Sequence, residues 1–393
     1  MESGRIDQKA VGSRALVVLP QARSSFNPSV NGLRGLCVAF VFLFHVAKSG
    51  LPPMPPNDSI WQWDIVYLVD SWSYFVEVFF MISGYVIVMS LRRHRTMRGF
   101  LFDRFVRIFP LWIPVLLSIC VLGPLLGWRA LQHLDPLGWL RMLLANLMLL
   151  PPLVPDVQAA HPASWSLSYE WLFYLIAAFS VALARASRVP RSVWIPVSVL
   201  AVLLGVSSFP RAIFFLSGVA VAFFGAAPPG ARRMPWLAPL ALLLFLLLWR
   251  STDVDEAGSA GVNLWELVLG GDGPAMLGAF VAATYFFACV AMPDSRSLGF
   301  LRTRALQQLG TISYSFYLCH PLVMFAVKRV VKTTMPHAEG SWAATLVFAL
   351  VSAVLSLALA WLCWRWLEKG LGQWLHARKR ELDLTRSRVA QAR

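Results

Sequence analysis

Arg34 and His45 stand eleven residues apart on one apolar stretch. At 1.5 Å per residue a helix sets them about 16 Å apart along its axis, and eleven steps of 100° bring them back to one face within about 20°. A guanidinium grips phosphate through paired hydrogen bonds. An imidazole moves protons near neutral pH, or accepts an acyl group. The plainer reading makes Arg34 an interfacial anchor and His45 a core histidine bonded to a neighbouring helix. Other apolar stretches carry Ser83 before Gly84, and Glu170 with Tyr174 at i, i+4. Tyr314 and Tyr317 stand at i, i+3, followed by His320-Pro321. Residues four or three apart share a helix face. Glu170 and His45 are expected at a similar depth, where a carboxylate would raise the histidine's basicity. Ser83-Gly84 could instead serve only close helix packing, Glu77 is expected to be hydrated near a boundary, and Pro321 is expected to kink its helix. Arg104 and Arg107 end a basic stretch that begins at Arg92. That stretch is read as a loop that sets orientation or holds phosphates.

Ionisable groups are costly inside a lipid-solvated bundle, which makes each a functional candidate. That the bundle is lipid-solvated follows from composition. Of 393 residues, 58% are hydrophobic and only 14% charged, where a soluble domain carries about 25% charge. The reading is an all-α polytopic membrane bundle of about ten spans. They fall near 32–49, 74–91, 107–128, 165–185, 192–208, 211–228, 235–250, 273–292, 310–331 and 343–367. Residues 1–30 form a polar tail, expected to be flexible and not a cleaved signal; 31–368 form the membrane domain, and 369–393 a basic tail. The net charge of +15 does not point to nucleic acid, because the basic residues sit in short clusters between apolar runs. That placement is the positive-inside pattern. It puts both termini, Arg92–Arg107, Arg185, Arg188, Arg191, Arg232, Arg233, Arg296, Arg302 and Arg304 on the cytoplasmic side. Asp58, Asp64, Asp70, Asp253, Asp255 and Glu256 fall outside, with Trp61, Trp63, Trp72, Trp165 and Trp342 as an aromatic belt. Counting 137–150 as a span would invert the later loops, so it is read as a half-membrane or interfacial helix. Lys328, Arg329 and Lys332 break the pattern on the outer side; they snorkel or bind an anionic substrate. The five cysteines match no metal spacing and are read as buried small hydrophobes.

Taken together, these segments resemble the acyltransferase-3 family of bacterial membrane O-acyltransferases. The resemblance rests on Asn31-Gly32-Leu33-Arg34-Gly35 with His45, on Phe79-Phe80 with Ser83-Gly84-Tyr85, and on Arg104, Arg107 and Pro110. It continues through Trp165-Ser166-Leu167, Glu170 and Phe173-Tyr174, then Ile312-Ser313-Tyr314, Tyr317-Leu318 and His320-Pro321. Trp366-Leu367-Glu368-Lys369 echoes a terminal element, with Gly370 where proline is usual. Any one motif is weak, whereas five in the right order, on spans of matching number, are specific. The resemblance implies a multi-pass protein of the bacterial inner membrane. It implies transfer of an acyl group, commonly acetyl from acetyl-CoA as donor substrate, to a hydroxyl of a carbohydrate or related glycan acceptor. No tightly bound cofactor and no metal are expected. Only about 25 residues follow the last span, so the chain is expected to act alone or with a separate periplasmic partner. Arg34, Arg104 and Arg107 would hold the donor phosphates. His45 would act as general base or acyl carrier, oriented by Glu170, and Ser83, Tyr314 or Tyr317 would donate to the oxyanion. A transporter or flippase for a lipid-linked glycan is the alternative, its buried His and Glu carrying protons.

Overall fold

The computed structural model describes residues 26–53, 62–94, 96–128, 131–132, 134–154, 157–186, 189–225, 228–252, 264–292, 298–335 and 337–391. Arg95, Arg188, Arg296, Trp61, Asp58, Asp253, Asp255 and Glu256 lie outside these, as do residues 1–25 of the N-terminal tail.

Every regular element among the described residues is helical. In chain order they are α1 (Pro28–Ala47), α2 (Gln62–Ser71), α3 (Phe75–Arg93), α4 (Met97–Leu126), α5 (Pro136–Leu147), α6 (Ser164–Arg185), α7 (Arg191–Ser208) and α8 (Ile213–Phe224). Then follow α9 (Leu237–Arg250), α10 (Leu264–Leu269), α11 (Gly273–Ala291), α12 (Arg304–Thr311), α13 (Ser313–Thr334) and α14 (Trp342–Cys363). A π-helical stretch, Trp364–Leu371, joins α14 to α15 (Gly372–Gln391). Seven of these helical segments are long and apolar enough to cross a bilayer, or eight if α12 and α13 count as one bent span. The chain is therefore a multi-pass helical membrane protein. A helix occupies each of the ten expected places, but α8 and α9 have only 12 and 14 residues. A full crossing takes about 20. At 12 residues α5 is also short, about 18 Å against a hydrocarbon core of about 30 Å.

Several boundaries depart from expectation. The Asn27 side chain caps α1 at Ser29 and Val30, so the helix starts before residue 32. The arginine-rich segment is mostly helix: α4 begins at Met97, where Thr96 caps the Gly99 N–H. Arg104 and Arg107 thus ride on one helical face, one turn apart. Pro321 lies inside a continuous α13, and the sharp bend of 77° falls before it, between Thr311 and Ser313.

Glycines let two helix pairs approach to backbone contact. A Cβ at Gly84 of α3 would lie 2.1 Å from the Phe215 carbonyl oxygen, and one at Gly218 of α8 would lie 1.8 Å from that of Met81. Likewise a Cβ at Gly32 would meet the Leu301 carbonyl at 1.8 Å. The Asn31 amide beside it donates to the backbone and side-chain oxygens of Gln307, both at 3.0 Å. These contacts dock α1 onto the 301–310 segment and leave Arg34 facing the bundle interior.

Glu77 is not hydrated. It is fully buried, accepts a hydrogen bond from Arg211 Nε, and accepts a second from Trp249 Nε1 at 3.2 Å. Arg211 also lies 4.6 Å from the centre of the Trp165 ring. Removing one partner of a buried pair strands the other, at about 3–5 kcal/mol. Arg211→Met should therefore lower the thermal unfolding midpoint of the detergent-solubilised protein markedly, and Glu77→Gln added to it should restore most of the loss. Equal midpoints for wild type and Arg211→Met would contradict this role for the pair.

Candidate active site

Seven of the eight residues singled out for chemistry meet in one cavity. Arg34, Ser83, Arg104, Arg107, Glu170, Tyr314 and Tyr317 line it, together with Ser166, Tyr174 and Ser313. They come from α1, α3, α4, α6 and α13, and the close approach of α3 to α8 fixes where Ser83 points. Ser83 Oγ donates to Glu170 Oε1 at 2.9 Å, and the Tyr174 hydroxyl donates to the same oxygen. Arg107 Nη1 pairs with Glu368 Oε2 at 2.6 Å and lies 5.1 Å from the centre of the Tyr314 ring. The other Glu368 oxygen accepts the Ser315 N–H at 3.1 Å and the Ser315 hydroxyl. Arg104 stacks over Tyr174 and Phe100, at 5.5 and 5.8 Å from the ring centres. Arg34 has no hydrogen-bond or ion-pair partner among the described residues, although Arg107, Glu368, Glu170 and Tyr174 lie close enough to act on it electrostatically. The cavity therefore carries three guanidiniums opposed by Glu170 and Glu368, with Arg34 uncommitted. That is a site for an anion.

The three expected oxyanion donors are already committed. Ser83 gives its proton to Glu170, and the Tyr314 hydroxyl gives its to the Ile108 carbonyl at 2.7 Å. Tyr317 and Ser166 share a hydrogen bond of 2.8 Å, while Ser166 donates to the Ala163 carbonyl. A hydroxyl has one proton, so Tyr317 is the donor to Ser166. Ser313 Oγ, also on the cavity wall, is buried without a partner.

His45 is not in this cavity, and the expected His45–Glu170 pair does not form. Similar depth on two helices leaves open which faces meet, and Glu170 faces α3. His45 instead lines a second cavity of about 810 Å³ with Trp128, Pro321, Phe325, Lys328, Arg329 and Lys332. His320 stands beside it, at 5.3 Å between ring centres. His320 Nδ1 lies 2.9 Å from the Phe316 carbonyl oxygen, so it carries the proton, and Nε2 is buried without a partner. The Tyr317 ring stands 6.2 Å from that of His320. Tyr317, on the wall of the first cavity, thus neighbours His320, which neighbours His45 on the wall of the second.

Several of these parts went unassigned in the sequence reading. Glu368 stood in a motif but had no role, and the arginine it holds is 261 residues away. His320 was seen with Pro321, but its contact with His45 depends on how α1 and α13 pack. His161 is fully buried: it accepts the Ala163 N–H at Nδ1 and donates from Nε2 to the Leu318 carbonyl, both at 3.0 Å. Both its nitrogens are satisfied, as in a structural histidine. Asn146 clamps the segment after α5, accepting the Ala160 N–H at 2.8 Å and donating to Met142 and Gln158 carbonyls.

Comparison with known proteins gives the family. The family model described as an acyltransferase domain matches residues 27–365. The chain is 26% identical to acyltransferase MdmB of Streptomyces mycarofaciens over 351 residues, covering 84% of this chain and 87% of the relative. It is 29% identical to the exopolysaccharide production protein ExoZ of Rhizobium meliloti (strain 1021) over 294 residues, covering 71% of this chain and 84% of the relative. No solved structure matches. The transporter reading accordingly gives way: the chain belongs to the acyltransferase-3 family of membrane acyltransferases, and it is an enzyme that transfers acyl groups other than aminoacyl groups.

Proposed function

We propose that the protein is an O-acyltransferase of the bacterial inner membrane. It moves an acyl group, acetyl in the simplest case, from acyl-CoA to a hydroxyl of a cell-surface carbohydrate or related glycan. The observation that carries this reading is the meeting of Arg34, Arg104 and Arg107 in a cavity whose Tyr317 neighbours His320, itself the neighbour of His45. The exopolysaccharide role in the name of one relative supports a glycan acceptor. Charge supports the orientation. With ten crossings, α8 and α9 included, both termini and the Arg34 end of α1 face the cytoplasm, where basic loops concentrate. The two short helices would cross with help from flanking turns or local bilayer thinning.

Acyl-CoA then enters from the cytoplasm. Its phosphates lie against Arg34, Arg104 and Arg107, with Glu368 holding Arg107 in place. The pantetheine arm carries the thioester toward Tyr317 and His320. His45 takes the proton of the acceptor hydroxyl as that oxygen attacks the thioester carbonyl. The tetrahedral intermediate collapses, the carbon–sulfur bond breaks, and the proton passes from His45 to the departing CoA sulfur. His320 Nε2, with its free lone pair, would accept an N–H from His45 while that ring is charged. Glu170 balances the arginines and positions Ser83. The donor oxyanion is held by Ser313, or by Tyr317 once it releases Ser166. No resident cofactor or metal takes part in this reading.

Labelled acetyl-CoA given to membranes or liposomes containing the protein tests the reaction. His45→Ala should lower label transfer about 100- to 10,000-fold, the contribution of a positioned acid–base group, while the folded protein and its CoA binding persist. Transfer near the wild-type rate would contradict the role of His45. Arg34→Ala should raise KM for acetyl-CoA about tenfold or more, the loss of one charge-assisted phosphate contact of about 1.5–3 kcal/mol. An unchanged KM would remove Arg34 from the donor site.

A further inference from the structure

α12 and α13 meet at a bend of 77°, so α13 begins afresh inside the bundle instead of continuing a helix. A close approach places that beginning. A Cβ at Gly310 would lie 2.0 Å from the Asn31 carbonyl oxygen, which pins the bend to α1. Gly310 stands three residues before Ser313, and Asn31 three before Arg34. Ser313 and Tyr314, at the start of α13, line the same cavity as Arg34, Arg104 and Arg107.

A helix start presents backbone N–H groups and the positive end of the helix dipole, and anions are favoured there. This one already holds an anion. Ile312 at the N-cap supplies no side-chain cap. Instead the Glu368 carboxylate accepts the Ser315 N–H at 3.1 Å and the Ser315 hydroxyl. Ser313, two residues earlier, has no such partner. Its side chain is fully buried, and its Oγ makes no hydrogen bond. A buried hydroxyl left that way is costly. In a cavity walled by three guanidiniums, the partner that fits is an acceptor carrying negative charge. Depth then sorts the hydroxyls of α13. Tyr317 lies four residues beyond Ser313, about 6 Å further along the axis, and His320 seven residues, about 10 Å. Tyr317 is the one close to His320, whereas Ser313 lies back toward the arginines.

We propose that Ser313 and the first turn of α13 form a seat for the diphosphate of the acyl-CoA donor. A phosphoryl oxygen accepts the hydrogen bond that Ser313 Oγ has free to give, beside the helix start and the three guanidiniums. The diphosphate is the anion joined directly to the pantetheine arm, so it travels furthest into the cavity and meets a fully buried donor. Of Ser313 and Tyr317, the two hydroxyls available for the oxyanion, Tyr317 then serves alone. The inference rests on the proposed acyl-CoA donor; it adds a binding residue and the phosphate group that this residue reads.

The test uses the full chain in nanodiscs of phosphatidylcholine. CoA and dephospho-CoA, which keeps the diphosphate but lacks the ribose phosphate, are titrated into wild type and Ser313→Ala by calorimetry. The variant should bind both about tenfold or more weakly, the loss of one hydrogen bond to a charged group. At saturating acetyl-CoA its kcat should be unchanged. Without ligand its thermal unfolding midpoint should equal or exceed that of wild type, because the hydroxyl removed has no partner; this also shows that the variant folds. Unchanged CoA affinity overturns the proposal. So does a loss confined to CoA, which would put the ribose phosphate at Ser313, and so does a lower kcat with unchanged affinity, which would return Ser313 to the oxyanion. A lower midpoint without ligand would reveal an internal partner for the hydroxyl and would equally count against the seat. Failure of the underlying reading looks different. Wild type that binds neither nucleotide removes the donor site itself, whereas binding that does not depend on Ser313 defeats only the diphosphate seat.

Discussion

A charge buried in a membrane bundle must be paired or must face water or a ligand. Most of this structure can be read as a set of answers to that requirement. Glu77 is answered by Arg211 and Trp249. Asp70 is answered by Lys48 and Arg250, and Arg107 by Glu368. These pairs tie together segments far apart in the chain, so the charges that would be a liability in lipid hold the helices in register. Arg34 is the exception. It is carried into the interior by the docking of Asn31 and Gly32 on the 301–310 segment, and among the described residues no carboxylate pairs with it. A guanidinium held that way has its favourable partner in a ligand that brings its own negative charge.

The same constraint explains why the polar groups fall into two sets. Cations and carboxylates gather in the cavity at the Arg34 end of α1, where an anionic molecule can be admitted and held. The three histidines His45, His161 and His320 gather above it. Of these, His161 has both nitrogens engaged and His320 one. His45 has no hydrogen bond among the described residues and the most open surroundings. An imidazole needed for proton transfer must be reachable by its substrate, and His45 meets that condition where the other two do not. The π-helical stretch that carries Glu368 widens the backbone beside Ser315, and such interruptions recur at functional sites.

The sequence made much of this legible because helical periodicity and the cost of charge in lipid act locally. Arg34, Ser83, Arg104, Arg107, Glu170, Tyr314 and Tyr317 each stood out on its own helix, and all seven line one cavity. What stayed hidden depended on which helix faces which. Depth along the axis suggested a His45–Glu170 pair, but the rotation of α6 turns Glu170 to Ser83, 87 residues earlier. Glu77 looked hydrated because it lies near a span end, and its partner Arg211 lies 134 residues on, in a short turn before α8. The arginine segment read as a loop because charge masks an amphipathic helix start, although Thr96 caps it. The span count is only partly legible in the same way: α8 and α9 are apolar, but with 12 and 14 residues they fall short of a full crossing.

The central claim is that the bundle passes an acyl group between faces, taking the donor at the Arg34 end and acylating at the His45 end. Vesicles of defined orientation test it directly. Labelled acetyl-CoA, which does not cross the bilayer, is supplied to one face only, and label in the acceptor on the opposite face is measured. The account predicts transfer when the donor meets the face bearing the basic loops, and none when it meets the other. Equal transfer from either face, or transfer only when donor and acceptor share a face, would contradict it.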